Sequence, residues 1–165
     1  MPNLQTLAGL DGFNALSPAD AERELLACCA SRAFAEAVAA RRPHRDLAQL
    51  TAAADVAVRA LAWPDVLEAL EAHPRIGARV TEKWSAQEQA GVGEAERDEL
   101  AEGNRVYEDR FGHVYLVCAT GLSGEQMLRR LRERLLNDEE SERRVVVDEL
   151  AKITRLRMAK LVGAA

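Results

Sequence analysis

From Ser17 onward, apolar positions recur every three or four residues, broken at intervals by Pro, Gly or a capping side chain. Ser17-Pro18 with Asp20 reads as an N-cap followed by Pro at the first helical position, predicting a helix to about Ala27. Ser31 caps a second, ending near Arg42 before Pro43. Leu47, Leu50, Ala54 and Val58 mark a third over Arg45 to Leu61, and Pro64 opens a fourth carrying Val66, Leu67 and Leu70. Pro74 and Gly77 interrupt the pattern. Helices are then expected over Glu94 to Arg110, ending before Gly112, from the capping box Ser123-Gly124-Glu125-Gln126 to about Leu136, and over about Glu139 to Leu161. The run His113 to Ala119 is apolar and partly β-branched, but an isolated strand has nothing to pair with. It reads as an extended segment or a short buried helix. With no repeat, linker or composition break, the expectation is one compact all-α domain over residues 1–165, with about seven to nine helices.

Composition narrows the function classes. A 165-residue domain buries roughly 70% of its unfolded surface, enough for a real core. The apolar content is mainly Ala, Leu and Val, only 4% being aromatic, which favours helices. The net charge of −5 gives no field to attract nucleic acid, and Arg is interleaved with Glu and Asp as on solvated helix faces. An anionic ligand therefore needs a local positive site. Three cysteines, Cys28, Cys29 and Cys118, make a poor disulfide framework and read as free thiols in a reducing compartment. Met1 to Leu10 shows no basic segment followed by a long apolar run, no stretch reaches about 18 uninterrupted apolar residues, and Val162-Gly163-Ala164-Ala165 is no peroxisomal tripeptide. The expectation is a cytoplasmic protein without a membrane partner.

Three places depart from a plain helical pattern. In His73-Pro74-Arg75-Ile76-Gly77, the His falls at a helix C-terminus, where the dipole favours its protonated form. It is either a helix-ending cap before a turn or a group placed for proton transfer near neutral pH. In Trp84-Ser85-Ala86-Gln87-Glu88-Gln89, Ser85 and Glu88 have capping-box spacing; the same geometry would set backbone N–H groups and the Ser, Glu and Gln side chains around an anion. On the last helix, at roughly 100° per residue, Arg157 falls within about 20° of Val146 and so inside the apolar stripe, whereas Arg155 faces water. A buried guanidinium calls either for a buried carboxylate or for a ligand carboxylate. His44, His73 and His113 lie far apart, the cysteines lack zinc spacing, and no dinucleotide fingerprint, phosphate loop or nucleophile elbow is present. No metal is expected.

Taken in order, Phe13-Asn14 with Leu16, Ser31 with Arg42-Pro43, His73-Pro74-Arg75-Ile76-Gly77, Ser85-x-x-Glu88-Gln89, Asn104-x-x-Tyr107 with Phe111-Gly112, Arg134-Leu135-x-Asn137, Glu142, and Ile153 with Leu156-Arg157 resemble the 2-oxo-4-hydroxy-4-carboxy-5-ureidoimidazoline (OHCU) decarboxylase family over nearly the whole chain. Two departures are visible: Phe111-Gly112-His113-Val114-Tyr115 stands where the family often has Phe-Gly-Phe-Pro-Phe, and the stretch from His73 to Ser85 is shorter than in many animal members.

The resemblance implies a cofactor-free decarboxylase of urate breakdown that yields (S)-allantoin from a small anionic ureidoimidazoline. It implies His73 as the catalytic acid/base and Glu88 as its orienting partner. Pro74, Ser85, Gln89 and Arg157 then line the substrate site together with Tyr115, Leu116, Val117, Cys118 and Ala119, whose unused backbone groups suit a urea-like ligand. His113 reads as structural. The resemblance also implies a homodimer. Two rivals stand beside it: a helical interaction module in which His73, Ser85 and Glu88 only cap and turn, and a related hydrolase or lyase acting on another ureido acid.

Overall fold

The computed structural model describes residues 9–78 and 83–163. Among them are nine helices and no strand: α1 (Gly9–Ala15), α2 (Pro18–Cys28), α3 (Arg32–Ala40), α4 (Leu47–Arg59), α5 (Trp63–Glu71), α6 (Lys83–Glu88), α7 (Glu94–Phe111), α8 (Gly124–Arg134) and α9 (Glu139–Leu161). The all-α expectation holds. No helix is long and apolar enough to cross a membrane among the described residues. The chain divides into two compact units, one of Met1–Ala69 with Leu150–Ala165 and one of Leu70–Glu149.

In the first unit the helix starts follow their caps. Ser17 Oγ accepts from the Asp20 N–H at 3.1 Å, Ser31 Oγ from the Phe34 N–H at 3.4 Å, and Asp46 Oδ1 from the Gln49 N–H at 2.8 Å. Each satisfies an orphan first-turn donor, contributing about 1 kcal/mol. Asp46 is the reason α4 starts at Leu47, two residues after its expected start. α3 packs against both α2 and α4, and Phe34, Val38, Leu25, Leu50 and Val58 are fully buried.

Helix α1 was not foreseen. It buries Phe13 and is closed from outside: Arg42 Nη1 donates to the carbonyls of Phe13, Asn14 and Leu16 at 3.0, 3.3 and 2.7 Å. Asn14 and His44 exchange two further bonds, Asn14 Nδ2 to the His44 carbonyl at 2.8 Å and the His44 N–H to Asn14 Oδ1 at 3.0 Å. Phe13-Asn14 and Arg42-Pro43 thus belong to one structural knot.

Within it, burial pushes the His44 imidazole below its ordinary value, against a hydrogen bond to the Val38 carbonyl and with Arg42 and Arg41 nearby. An imidazole depressed in the fold binds its proton first in the unfolded chain. His44 therefore supports the fold above about pH 6.5 and withdraws that support as the pH falls. Thermal midpoints should drop between pH 7.5 and 5.5, and drop less in His44→Gln; equal drops in both proteins would refute the assignment.

In the second unit α7 packs on α8. The core between them gathers Leu100, Tyr107, Tyr115, Val117, Met127, Leu128 and Leu131. The Ser123 capping box forms as expected, Ser123 Oγ accepting from the Gln126 N–H and Gln126 Oε1 from the Ser123 N–H. Gly112, at φ 78°, ends α7 in the left-handed conformation that glycine adopts without strain.

Candidate active site

The second unit carries most of the candidate residues. α5 ends at Glu71, and the His73 N–H closes on the Leu70 carbonyl at 3.0 Å, so the imidazole leaves from the helix C-terminus as expected. Beyond half-buried Pro74 the chain turns sharply, the Ala78 N–H returning to the Arg75 carbonyl at 3.1 Å. Gly77 makes the turn possible at φ 87°, and a Cβ there would stand 3.3 Å from Leu100 Cβ.

The turn is tied down on three sides. Gln89 Oε1 accepts the Gly77 N–H at 3.0 Å. Asn104 Nδ2 donates to the Ile76 carbonyl at 2.8 Å. Arg75 grips both carboxylate oxygens of Glu108, at 2.8 and 3.3 Å.

α6 corrects one expectation. It begins at Lys83, so Ser85 lies inside its first turn and is not an N-cap. The Ser-x-x-Glu spacing describes a capping box only when Ser sits on the boundary. Here Ser85 and Glu88 are neighbours on a six-residue helix, both buried, and the Ser85 carbonyl receives the Gln89 N–H at 3.0 Å. The residues just before Lys83 lie outside the described part.

Residues 114–119 form neither helix nor strand. Tyr115, Leu116, Val117 and Ala119 are buried and Cys118 half-buried. The expectation that this segment keeps its backbone groups unused is corrected in part. The Leu116 carbonyl receives Arg134 Nη1, and the Cys118 N–H donates to Glu149 Oε1 at 3.3 Å. The Ala119 carbonyl receives the Leu122 N–H at 3.0 Å. Buried segments must satisfy their polar groups, and here α8 supplies Arg134, α9 supplies Glu149 and the turn before α8 supplies the Leu122 N–H. The N–H and C=O of Val117 make no hydrogen bond among the described residues.

Behind the segment lies a buried ionic network whose members the sequence pattern contained without a role. Arg134 Nε and Nη2 reach Glu142 Oε1 at 2.7 and 2.6 Å, the Tyr107 hydroxyl donates to the same oxygen, and Asn137 Nδ2 to Glu142 Oε2 at 3.0 Å. Burial disfavours the Arg134 charge, but the hydrogen bond to Glu142 together with the nearby Glu142, Tyr107 and Tyr115 groups outweighs it and holds the guanidinium's pKa above its ordinary value. The guanidinium also lies 4.8 Å from the Tyr115 ring centroid. A signal was present: at roughly 100° per residue, Glu142 and Glu149 fall within about 60° of Val146, two acids inside an apolar stripe.

In the first unit Arg157 is buried within α9's stripe, as its spacing predicts, while Arg155 is exposed. Arg157 Nη1 donates to the Ala27 carbonyl at 3.4 Å. Cys28 and Cys29 are free, buried thiols; burial pushes Cys29 up to about 11 and Cys28 higher still, so neither is a nucleophile at neutral pH. Cys118 forms no disulfide among the described residues. His113 bonds its neighbour's carbonyl and packs edge-on to Tyr107, in keeping with a structural role. No group of three or more His, Cys, Asp or Glu suited to a metal occurs among the described residues.

Comparison with known proteins adds to this geometry. The family model described as OHCU decarboxylase matches residues 14–159. The chain is 33% identical over 151 residues to the uric acid degradation bifunctional protein of Arabidopsis thaliana, covering 85% of this chain and 47% of that one. It is 29% identical to the 2-oxo-4-hydroxy-4-carboxy-5-ureidoimidazoline decarboxylase of Haloferax volcanii, over 76% of this chain and 79% of that one. A crystal structure of OHCU decarboxylase in the presence of (S)-allantoin superposes with a TM-score of 0.76 at 33% identity, covering 84% of this chain and 96% of the other. The chain thus spans about half the length of its plant relative.

Proposed function

Because the chain belongs to the OHCU decarboxylase family, we propose that it converts 2-oxo-4-hydroxy-4-carboxy-5-ureidoimidazoline to (S)-allantoin and carbon dioxide without a cofactor. The observation that carries the reading is the match over residues 14–159, which takes in the His73 turn, α6, the 114–119 segment and Arg157 as one ordered set. That span, which includes parts of both units, also supports a single functional domain.

The substrate's chemistry explains why so few groups suffice. Its carboxylate sits on a carbon adjacent to a C=N carbon. When the C–CO₂ bond breaks, its electron pair moves into that C=N, which is the electron sink a cofactor would otherwise supply. The resulting enol then collapses to a ring carbonyl at the carbon that lost carbon dioxide, while the neighbouring ureido-bearing carbon, formerly the C=N carbon, takes one proton, and the face it comes from sets the product's chirality. The enzyme's task is positioning, stabilising developing charge and delivering that proton.

We assign the proton to His73, which the α5 terminus holds near the negative end of a helix dipole. Glu88 orients the imidazole and repels the departing carboxylate. Ser85 and the Gln89 amide donors bind ring or ureido carbonyls, with Gln89 Oε1 engaged by Gly77. The N–H and C=O of Val117, which make no hydrogen bond among the described residues, suit a ureido group, which both donates and accepts; Pro74 and the rest of residues 115–119 shape the same lining. Arg157, a buried guanidinium, takes the carboxylate or a carbonyl. By family pattern the protein acts as a cytoplasmic homodimer.

The test is circular dichroism during urate oxidation with the two preceding enzymes, with and without this protein. Rapid conversion to a persistent (S)-allantoin signal supports the reading; a signal that decays alike in both refutes it. In the same assay Arg157→Ala should raise KM roughly tenfold or more. A large loss of thermal stability with unchanged kinetics would make Arg157 purely structural.

A further inference from the structure

Leu100, Asn104 and Glu108 are spaced four apart on α7 and so share one face. Each meets a successive residue of the turn after His73. Leu100 backs Gly77, Asn104 holds the Ile76 carbonyl at 2.8 Å, and Glu108 grips Arg75. The register runs backward: 77 on 100, 76 on 104, 75 on 108. We infer that this face of α7 is a positioning device for His73, with Asn104 and Glu108 fixing how the chain leaves α5 and hence where the imidazole stands.

Two features separate this role from plain stabilisation. Asn104 is 2% exposed, yet its Oδ1 has no hydrogen-bond partner among the described residues. A buried orphan acceptor is costly, and an apolar side chain of similar shape would avoid it. The amide therefore serves the one bond it does make, to Ile76. The Arg75–Glu108 pair is largely exposed on the Arg75 side, where ion pairs add little stability. Its bidentate geometry still dictates direction. Gln89 completes the frame from the end of α6 by holding the Gly77 N–H, so the turn's three inner residues are all anchored.

The inference rests on the decarboxylase reading for its kinetic consequence. A donor displaced by about 1 Å loses on the order of 10²-fold in rate while substrate contacts persist. Asn104→Leu should therefore lower kcat roughly 10²-fold, and Glu108→Gln roughly tenfold, with KM changed less than about twofold. The Glu108→Gln thermal midpoint should stay at the wild-type value. Wild-type kcat in both variants, or an effect confined to KM, overturns the inference. If Asn104→Leu does not fold, Glu108→Gln decides alone.

A readout independent of turnover keeps the two readings apart. The ring-proton resonances of His73, assigned by their loss in His73→Ala, should shift in Glu108→Gln even without substrate. If the unmodified protein makes no (S)-allantoin, the decarboxylase reading falls, and an unmoved His73 resonance in that variant then overturns the positioning role as well.

Discussion

Replacing His73 with Ala will lower kcat for stereospecific allantoin formation by about 10³-fold, the mid-range of what a positioned general acid contributes. The helical circular-dichroism spectrum and the thermal midpoint should barely change. His73 lies two residues beyond α5 and is only half-buried, and the bonds that hold the following turn come from residues 75, 76 and 77. Removing the imidazole leaves that frame intact. What is lost is a proton held on one side of the reacting carbon, so the residual product should also lose its handedness. Near-normal stereospecific turnover in His73→Ala would assign the proton to another group.

The second large effect concerns stability. Arg134→Met should destabilise the protein by about 3–5 kcal/mol, the usual result of breaking a buried ion pair from one side. At 165 residues this lowers the thermal midpoint by roughly 10 °C. The cause is specific: Glu142, fully buried, would keep Tyr107 and Asn137 but lose its countercharge, and the Leu116 carbonyl would lose its donor. The double variant Arg134→Met/Glu142→Leu should recover much of the loss, because it removes the stranded charge along with its partner. A single variant that melts like the wild type would show that the pair contributes nothing. Activity should stay impaired in the double variant even where stability returns, since neither variant restores the Leu116 anchor.

The fold was legible wherever a boundary has its own chemistry. Ser17, Ser31 and Ser123 cap helices that start where those residues predict, and Gly112 ends one. α1 escaped notice because its seven residues bury one side chain and are closed by Arg42, 27 positions beyond Ala15. Ser85 misled because Ser-x-x-Glu occurs inside helices as well as at their starts. Among the candidate residues, His73 and Arg157 stood out through local conflicts, a His at a helix end and an Arg in an apolar stripe. Asn104, Arg134, Glu142 and Glu149 act through partners far along the chain. Arg134 reaches Leu116 across 18 residues and Asn104 reaches Ile76 across 28. Helical periodicity reports a residue's face but not what that face meets.

The proposed lining over residues 114–119 has a consequence for how its ligand preference would change. In a sheet, neighbouring backbone bonds form a ladder, and losing one rung loosens the next. Here the Leu116 carbonyl ends on Arg134 and the Cys118 N–H on Glu149, two anchors on different helices. Freeing one leaves the other in place. A lining moored at separate points can be re-aimed one backbone group at a time, so new ligand preferences can arise by single substitutions on α8 or α9 while the lining sequence itself stays the same.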